Sequence, residues 1–92
     1  MKSVVIQVFG RVQGVYYRAS TLKKATSLDL TGWVRNRLNG SVEIQDHGPE
    51  KKIEILIQWS KEGPPFAHVD RIEIETLEHT DFPSDFRIID TQ

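Results

Sequence analysis

GRVQGVYYR, residues 10–18, is the stretch on which the reading of this chain turns. It follows a strand-like apolar run, carries glycines at 10 and 14, and ends on Arg18 where a helical pattern begins. A chain passing from strand to helix leaves the first helical amides without intrahelical acceptors. Those N–H groups, with the positive end of the helix dipole, form a cradle for an anion. Gly10 and Gly14 allow the backbone to fold closely around such a guest, because glycine takes positive φ without steric cost. Val15, Tyr16 and Tyr17 supply no Ser, Thr, Asp or Asn side chain to cap the helix. That omission suits a site in which the ligand does the capping. Arg18 adds a permanent charge and a planar fork of donors matched to phosphate oxygens. The same spacing also fits a glycine turn followed by a surface arginine.

On the N-terminal side, Val4, Ile6 and Val8 alternate with Val5, Gln7 and Phe9, the period of a strand buried on at least one face. On the C-terminal side, Leu22, Ala25 and Leu28 stand at helical spacing over 18–29. Thr31 to Arg37 reads as a second strand. Asn39-Gly40 follows as a hairpin signal, since both residues accept the positive φ of a tight turn. Ser41 to Gln45 alternates as a third strand. Gly48-Pro49 opens a second helix over 50–61, with Ile53, Leu56 and Ile57 as its apolar stripe, although IEILIQ also alternates like a strand. Gly63-Pro64-Pro65 ends it. Val69 to Leu77 is a fourth strand, Asp81 to Asp85 a polar turn, and Phe86 to Ile89 a short last strand. This β-α-β-β-α-β order with a terminal strand predicts an α+β ferredoxin-like sandwich: an antiparallel sheet with two helices on one face.

The chain has 92 residues and a net charge of −1, so one domain spanning 1–92 is expected, with no extended nucleic-acid surface. No window approaches the roughly 20 apolar residues of a membrane span. The N-terminal residues lack the apolar region of a signal peptide, and a cytoplasmic location is expected. Cysteine is absent, which removes thiol catalysis, disulfides and thiolate metal sites. His47, His68 and His79 are too far apart in sequence for a local metal motif and read as surface or turn residues.

Three later elements join the loop in a resemblance to the acylphosphatase family. GRVQGVYYR is similar to its motif G-R-V-Q-G-V-x-F/Y-R. Gly32-Trp33-Val34-Arg35-Asn36 resembles its G-W-V-x-N element, Asn39-Gly40 its D/N-G turn, and Gly63-Pro64-Pro65 with Ala67 and Val69 its G-P-P-x-A-x-V segment. The resemblance covers essentially the whole chain. It implies hydrolysis of the carboxyl–phosphate bond of acyl phosphates to a carboxylate and inorganic phosphate, without a metal or organic cofactor. It places the substrate-binding arginine on Arg18 and the water-orienting asparagine on Asn36. The phosphate cradle falls on the backbone of Arg11, Val12, Gln13, Gly14, Val15, Tyr16, Tyr17 and Arg18. Phe9, Asp29 and Asn39 depart from the commoner His, Gly and Asp. Asp29 stands at a helix end that favours the left-handed region, where Asp is less at ease than Gly.

The candidate site holds no carboxylate pair, histidine or nucleophilic elbow, which counts against most hydrolases. An acyl phosphate is an activated mixed anhydride whose carboxylate leaves without a general acid, since its conjugate acid has a pKa near ~4. What remains is to bind the phosphoryl group, balance its charge and hold a water in line. Arg18 and the loop amides fit the first two tasks. Asn36 fits the third as an orienter, since its amide donates and accepts but takes no proton; a strand-end asparagine bonding local backbone is the alternative. Trp33 is expected in the core, facing away from Asn36. Tyr16 and Tyr17 either line the pocket mouth or pack beneath the loop, Arg35 and Arg37 form a solvated face, and Ser20 or Thr21 supports the loop or Asn36. An RNA-binding module of the same order would carry exposed aromatics, which the SVEIQ strand lacks. The remaining alternative is a phosphate-binding module without turnover. The partners expected are a small acyl phosphate and inorganic phosphate, with no nucleic acid or membrane and a monomeric state.

Overall fold

A computed structural model describes residues 1–78 and 83–92; His79 and the opening of the 81–85 turn lie outside the described residues. The elements are β1 (Lys2–Arg11), α1 (Tyr17–Ser27), β2 (Thr31–Asn36), β3 (Val42–Gly48), α2 (Glu50–Ser60), β4 (His68–Thr76) and β5 (Phe86–Ile88). The strands form a five-stranded sheet in the order β4-β1-β3-β2-β5. α1 packs on β2 and β5, and α2 on β1 and β3. The ambiguous 50–61 stretch is helical, with Ile53 and Leu56 buried beneath it.

Strand parity sets the two faces of the sheet. Val4, Ile6 and Val8 of β1, Val34 of β2, and Val42 and Ile44 of β3 point toward the helices and are fully buried. Each such side chain contributes roughly 1.5–3 kcal/mol over leaving it exposed. Val12, Tyr17, Ala25, Leu30 and Phe86 complete the core.

The sheet is mixed. Neighbouring strands from β4 to β2 are antiparallel, but β5 runs parallel to β2, with Gly32 opposite Phe86 and Val34 opposite Ile88. The reason is where β4 ends. Thr76 lies opposite Val4, which is also opposite Asp46, and Asp46 is opposite Gly32 at the start of β2. β5 opens at that same end, where the Gly32 amide donates to Asp85 O at 3.0 Å, and therefore runs alongside β2 in the same direction.

Three expectations about burial need correction. The buried face of α1 is Tyr17, Thr21 and Ala25, while Leu22 and Leu28 are only partly covered. Thr21 tolerates burial because its hydroxyl donates to the Tyr17 carbonyl at 2.8 Å. Trp33 does face away from Asn36, but onto the open side of the sheet and outside the core, where the Arg35 guanidinium lies 4.8 Å from its ring centroid. His47 is a half-buried strand residue, 2.6 Å from the Ser3 hydroxyl through Nδ1.

One polar residue breaks the apolar interior. Asp46 of β3 shares the helix-facing side with Ile44, is 0% exposed, and neither carboxylate oxygen has a hydrogen-bond partner among the described residues. Burial pushes its carboxyl up to about 8.

Candidate active site

The loop after β1 is built by two different glycine requirements. At Gly10 the register of β1 against β4 shifts, and a Cβ there would run into His68 O of β4. Gly10 therefore serves the approach of two strands and not the guest. Gly14 has φ 74 and open space where a Cβ would stand, so it is the turn itself that needs glycine. Tyr16 is left-handed as well, at φ 67 and ψ 18, and α1 starts at the next residue.

Tyr17 fastens this turn to the body of the protein. Its ring is buried against Trp59, centroids 5.4 Å apart, and its hydroxyl donates to Ser60 O at 2.8 Å. Burial raises the pKa of the phenol, so it stays a donor. Gly63 leaves room for the ring: a Cβ there would stand 2.6 Å from Tyr17 Cε2.

Among the described residues, no backbone amide from Gln13 to Ala19 donates to a protein acceptor; the Ser20 amide is the first to do so, to Tyr16 O at 3.0 Å. The first turn of α1 carries no acidic residue and no side-chain cap. Arg18 is half-buried there and has no ion-pair or hydrogen-bond partner among the described residues. Positive charge is thus concentrated at the positive end of a helix, where an anion is favoured. A cavity of about 430 Å³ opens at this point, lined by Val12, Gly14, Tyr16, Tyr17, Arg18, Ala19 and Ile88. Arg11, Gln13 and Val15 of the expected cradle do not line it: Arg11 ends β1 in solvent and Val15 packs toward the core.

Asn36 ends β2 on the helix-facing side, two residues beyond the buried Val34. Its backbone carbonyl accepts from Gln92 N at 3.2 Å. Its side chain makes no hydrogen bond among the described residues, and Oδ1 is buried without a partner. Local backbone bonding, the alternative use of a strand-end asparagine, is not what this side chain does. Asn36 does not itself line the cavity; β5 brings Ile88 into the wall beside Val34.

The neighbouring arginines are committed elsewhere. Arg35 Nε and Arg37 Nη1 lie 2.8 and 3.3 Å from Glu43 Oε1, and Gln7 donates to Glu43 Oε2. Arg35 is mostly covered, so the expected solvated face is instead an ion-paired network on the open side of the sheet. Thr21 supports the first turn of α1 and not Asn36. Of the two tyrosines, Tyr17 packs beneath the loop and Tyr16 stands 73% exposed at the cavity mouth.

Two contributions escaped the sequence reading: the side-chain role of Gln13, expected only in the backbone cradle, and the part played by Ile88. The Gln13 side-chain amide donates to Arg37 O at 2.8 Å and Ser41 O at 2.9 Å, tying the loop to the hairpin that follows Asn36. A carboxamide in an otherwise apolar and glycine-rich turn is the one sequence sign of this. Ile88 enters the wall through β5, whose placement is long-range and leaves no local signal.

The sequence model of the acylphosphatase family matches residues 4–88. An acylphosphatase of Methylococcus capsulatus is 42% identical to this chain over 97% of it and 97% of its own length. One from Thiobacillus denitrificans is 45% identical, over 85% of this chain and 88% of its own. The crystal structure of acylphosphatase from Bacillus subtilis superposes with a TM-score of 0.93 at 36% identity, covering 97% of this chain and 99% of that one. Its topology, its open helix start and its sequence agree in one conclusion: the chain belongs to the acylphosphatase family.

Proposed function

We propose that this chain is an acylphosphatase enzyme that hydrolyses acyl phosphates to a carboxylate and inorganic phosphate, with Arg18 and Asn36 as its catalytic residues. The observation that carries the reading is the stretch of unclaimed amides from Gln13 to Ala19 beside an unpaired Arg18. Together they bind the phosphoryl oxygens and hold charge as it shifts onto them in the transition state. Asn36, uncommitted within the fold, orients a water in line with the scissile bond. The water oxygen attacks phosphorus, and the P–O bond to the acyl group breaks with its electron pair leaving on the carboxylate. The water's protons pass to phosphate and solvent. No acid is needed, because a carboxylate is a good leaving group near neutral pH.

The same reading takes residues 1–92 as one domain acting as a cytoplasmic monomer, without metal, nucleic acid or membrane partner. No described helix is long and apolar enough to cross a membrane. Release of inorganic phosphate from acetyl phosphate, with and without EDTA, tests the reading. Turnover unaffected by EDTA, with competitive inhibition by phosphate, is expected. Phosphate binding without turnover would make this a binding module. Activity lost in EDTA and restored by a divalent ion would overturn the metal-free mechanism.

A further inference from the structure

A second cavity, of about 370 Å³, opens beside α1 and shares no lining residue with the one at the loop. α1 contributes Ser20, Lys23, Lys24 and Ser27 to it. Their spacing of i, i+3, i+4 and i+7 is that of one helix face, and it flanks the buried stripe of Tyr17, Thr21 and Ala25. Trp59, in the last turn of α2, and the turn through Gly63, Pro64 and Pro65 line the rest. We propose that this cavity is a second ligand site, independent of the phosphate cradle, which takes a small aromatic anion: a planar ring bearing a carboxylate, sulfonate or phosphate group.

Charge is the first argument. From Tyr17 to Ser27 the helix carries Arg18, Lys23 and Lys24 and no acid at all. Among the described residues every ion pair is made by an arginine or a histidine, and neither lysine ammonium has a protein partner. The Ser20 hydroxyl is likewise without a hydrogen bond among the described residues. Two ammoniums and a hydroxyl on one helix face are donors in search of an acceptor. The helix dipole gives Lys24 a use in the last turn, but it does not account for the aromatic wall of the same cavity.

That wall is the second argument. Trp59 is half-buried; its ring packs on Tyr17, centroids 5.4 Å apart, and also lines the cavity. Its indole N–H meets no acceptor among the described residues. Pro64 and Pro65 add rigid apolar surface whose backbone offers no donor. An indole beside prolines presents flat apolar area to a ring, and the lysines supply partners for its acidic group. An uncharged aromatic would leave both lysines unmatched, and an anion without a ring would leave the indole in water. The volume suits a small molecule, within the range of about 300–1,000 Å³ for such sites.

NMR titration of the isotope-labelled protein tests the site, read at the indole N–H signals of its two tryptophans, which Trp33→Phe assigns. Naphthalene-2-sulfonate is added with inorganic phosphate in excess, so that the cradle is filled. The Trp59 signal should move saturably while that of Trp33 stays still, with the same Kd in the absence of phosphate. 2-Naphthol, uncharged near neutral pH, and methanesulfonate, which has no ring, should each bind at least about 10-fold more weakly. Lys23→Gln/Lys24→Gln should weaken the sulfonate about 10-fold, the scale of two lost ionic contacts. Lys23→Gln alone, at an exposed position that cannot disturb packing, should show about a 3-fold part of that loss. A Trp59 signal that does not move, equal binding of 2-naphthol, or unchanged affinity in both lysine variants would overturn the site. Displacement of the probe by phosphate would overturn it too, by placing the probe in the cradle.

Discussion

The two helices of this fold begin in opposite ways. α2 follows Pro49, which has no amide to leave unpaired, and places Glu50 in its first turn, an anion against the positive end of the dipole. α1 follows a left-handed Tyr16, has no acid in its first turn, and sets Arg18 there instead. Both packed helices complete a β-α-β unit over the same sheet, so the fold does not demand the difference. Neither start has a side-chain cap, but α2 sets an acid against the positive end of its dipole, whereas α1 adds a charge of the same sign. A helix start built against its own stability identifies where the protein expects a guest.

Arg18→Ala should break the comparison most severely. kcat/KM for an acyl phosphate is expected to drop at least about 10³-fold, while Arg18→Lys recovers little of it, because one ammonium cannot replace a planar fork. Stability should move the other way. In phosphate-free buffer the Ala variant should be equal to the parent or more stable by up to ~1 kcal/mol. Added phosphate should raise the parent's Tm and leave the variant's almost where it was. An Ala variant that unfolds readily without phosphate would mean that Arg18 holds the fold together.

Asn36→Ala separates catalysis from anion capture. kcat is expected to fall about 10²–10³-fold with the Ki of phosphate nearly unchanged. Asn36→Asp should do no better, since it sets a negative charge beside the phosphoryl group. An active Asp variant would show proton transfer at this position and end the orienter role.

A smaller effect is expected at Gln13, whose two hydrogen bonds hold the open loop to the hairpin. Gln13→Ala should cost about 1–3 kcal/mol in denaturant melts, and saturating phosphate should recover part of it by ordering the loop. Smallest of all is Glu50→Gln, the matched change at the closed helix start. It should cost about 0.3–1 kcal/mol, less at high salt, and leave kcat/KM alone. A catalytic defect in Glu50→Gln would show that the two termini are not functionally separate.

The open start of α1 was legible because it is local: directly after a strand pattern, a glycine turn, no capping side chain and an arginine stand within nine consecutive residues, 10–18. The helix-facing side of β1 and β3 was equally legible, since period-2 alternation dictates which residues point inward. What the sequence hid depends on distant partners. The direction of β5 follows from where β4 ends, which no short window encodes. Trp33 looked like core because aromatic area is usually buried, yet this sheet has an uncovered side and parity put the ring there. Leu22 and Leu28 looked like the buried stripe of α1 because they are apolar, yet Thr21 takes that face, since a bond to the Tyr17 carbonyl one turn back makes its burial tolerable. Ile88 reached the cavity wall by the same long-range pairing that placed β5.

Asp46 makes the folding of this protein a proton-consuming reaction. With its carboxyl pushed up to about 8 in the fold and an ordinary value of 3.8 when exposed, the native state holds a proton between those limits that the unfolded chain releases. The contribution of Asp46 to stability is therefore greatest in mild acid, falls as pH rises from about 4 to about 8, and levels off above that. The slope approaches about 1.4 kcal/mol per pH unit for one proton. Denaturant melts across this range should show the decline, and Asp46→Asn should flatten it. Refolding in weak buffer near pH 6 should take up close to one proton per molecule, and a pH electrode would register it; a chain that refolds without that uptake keeps Asp46 ionised.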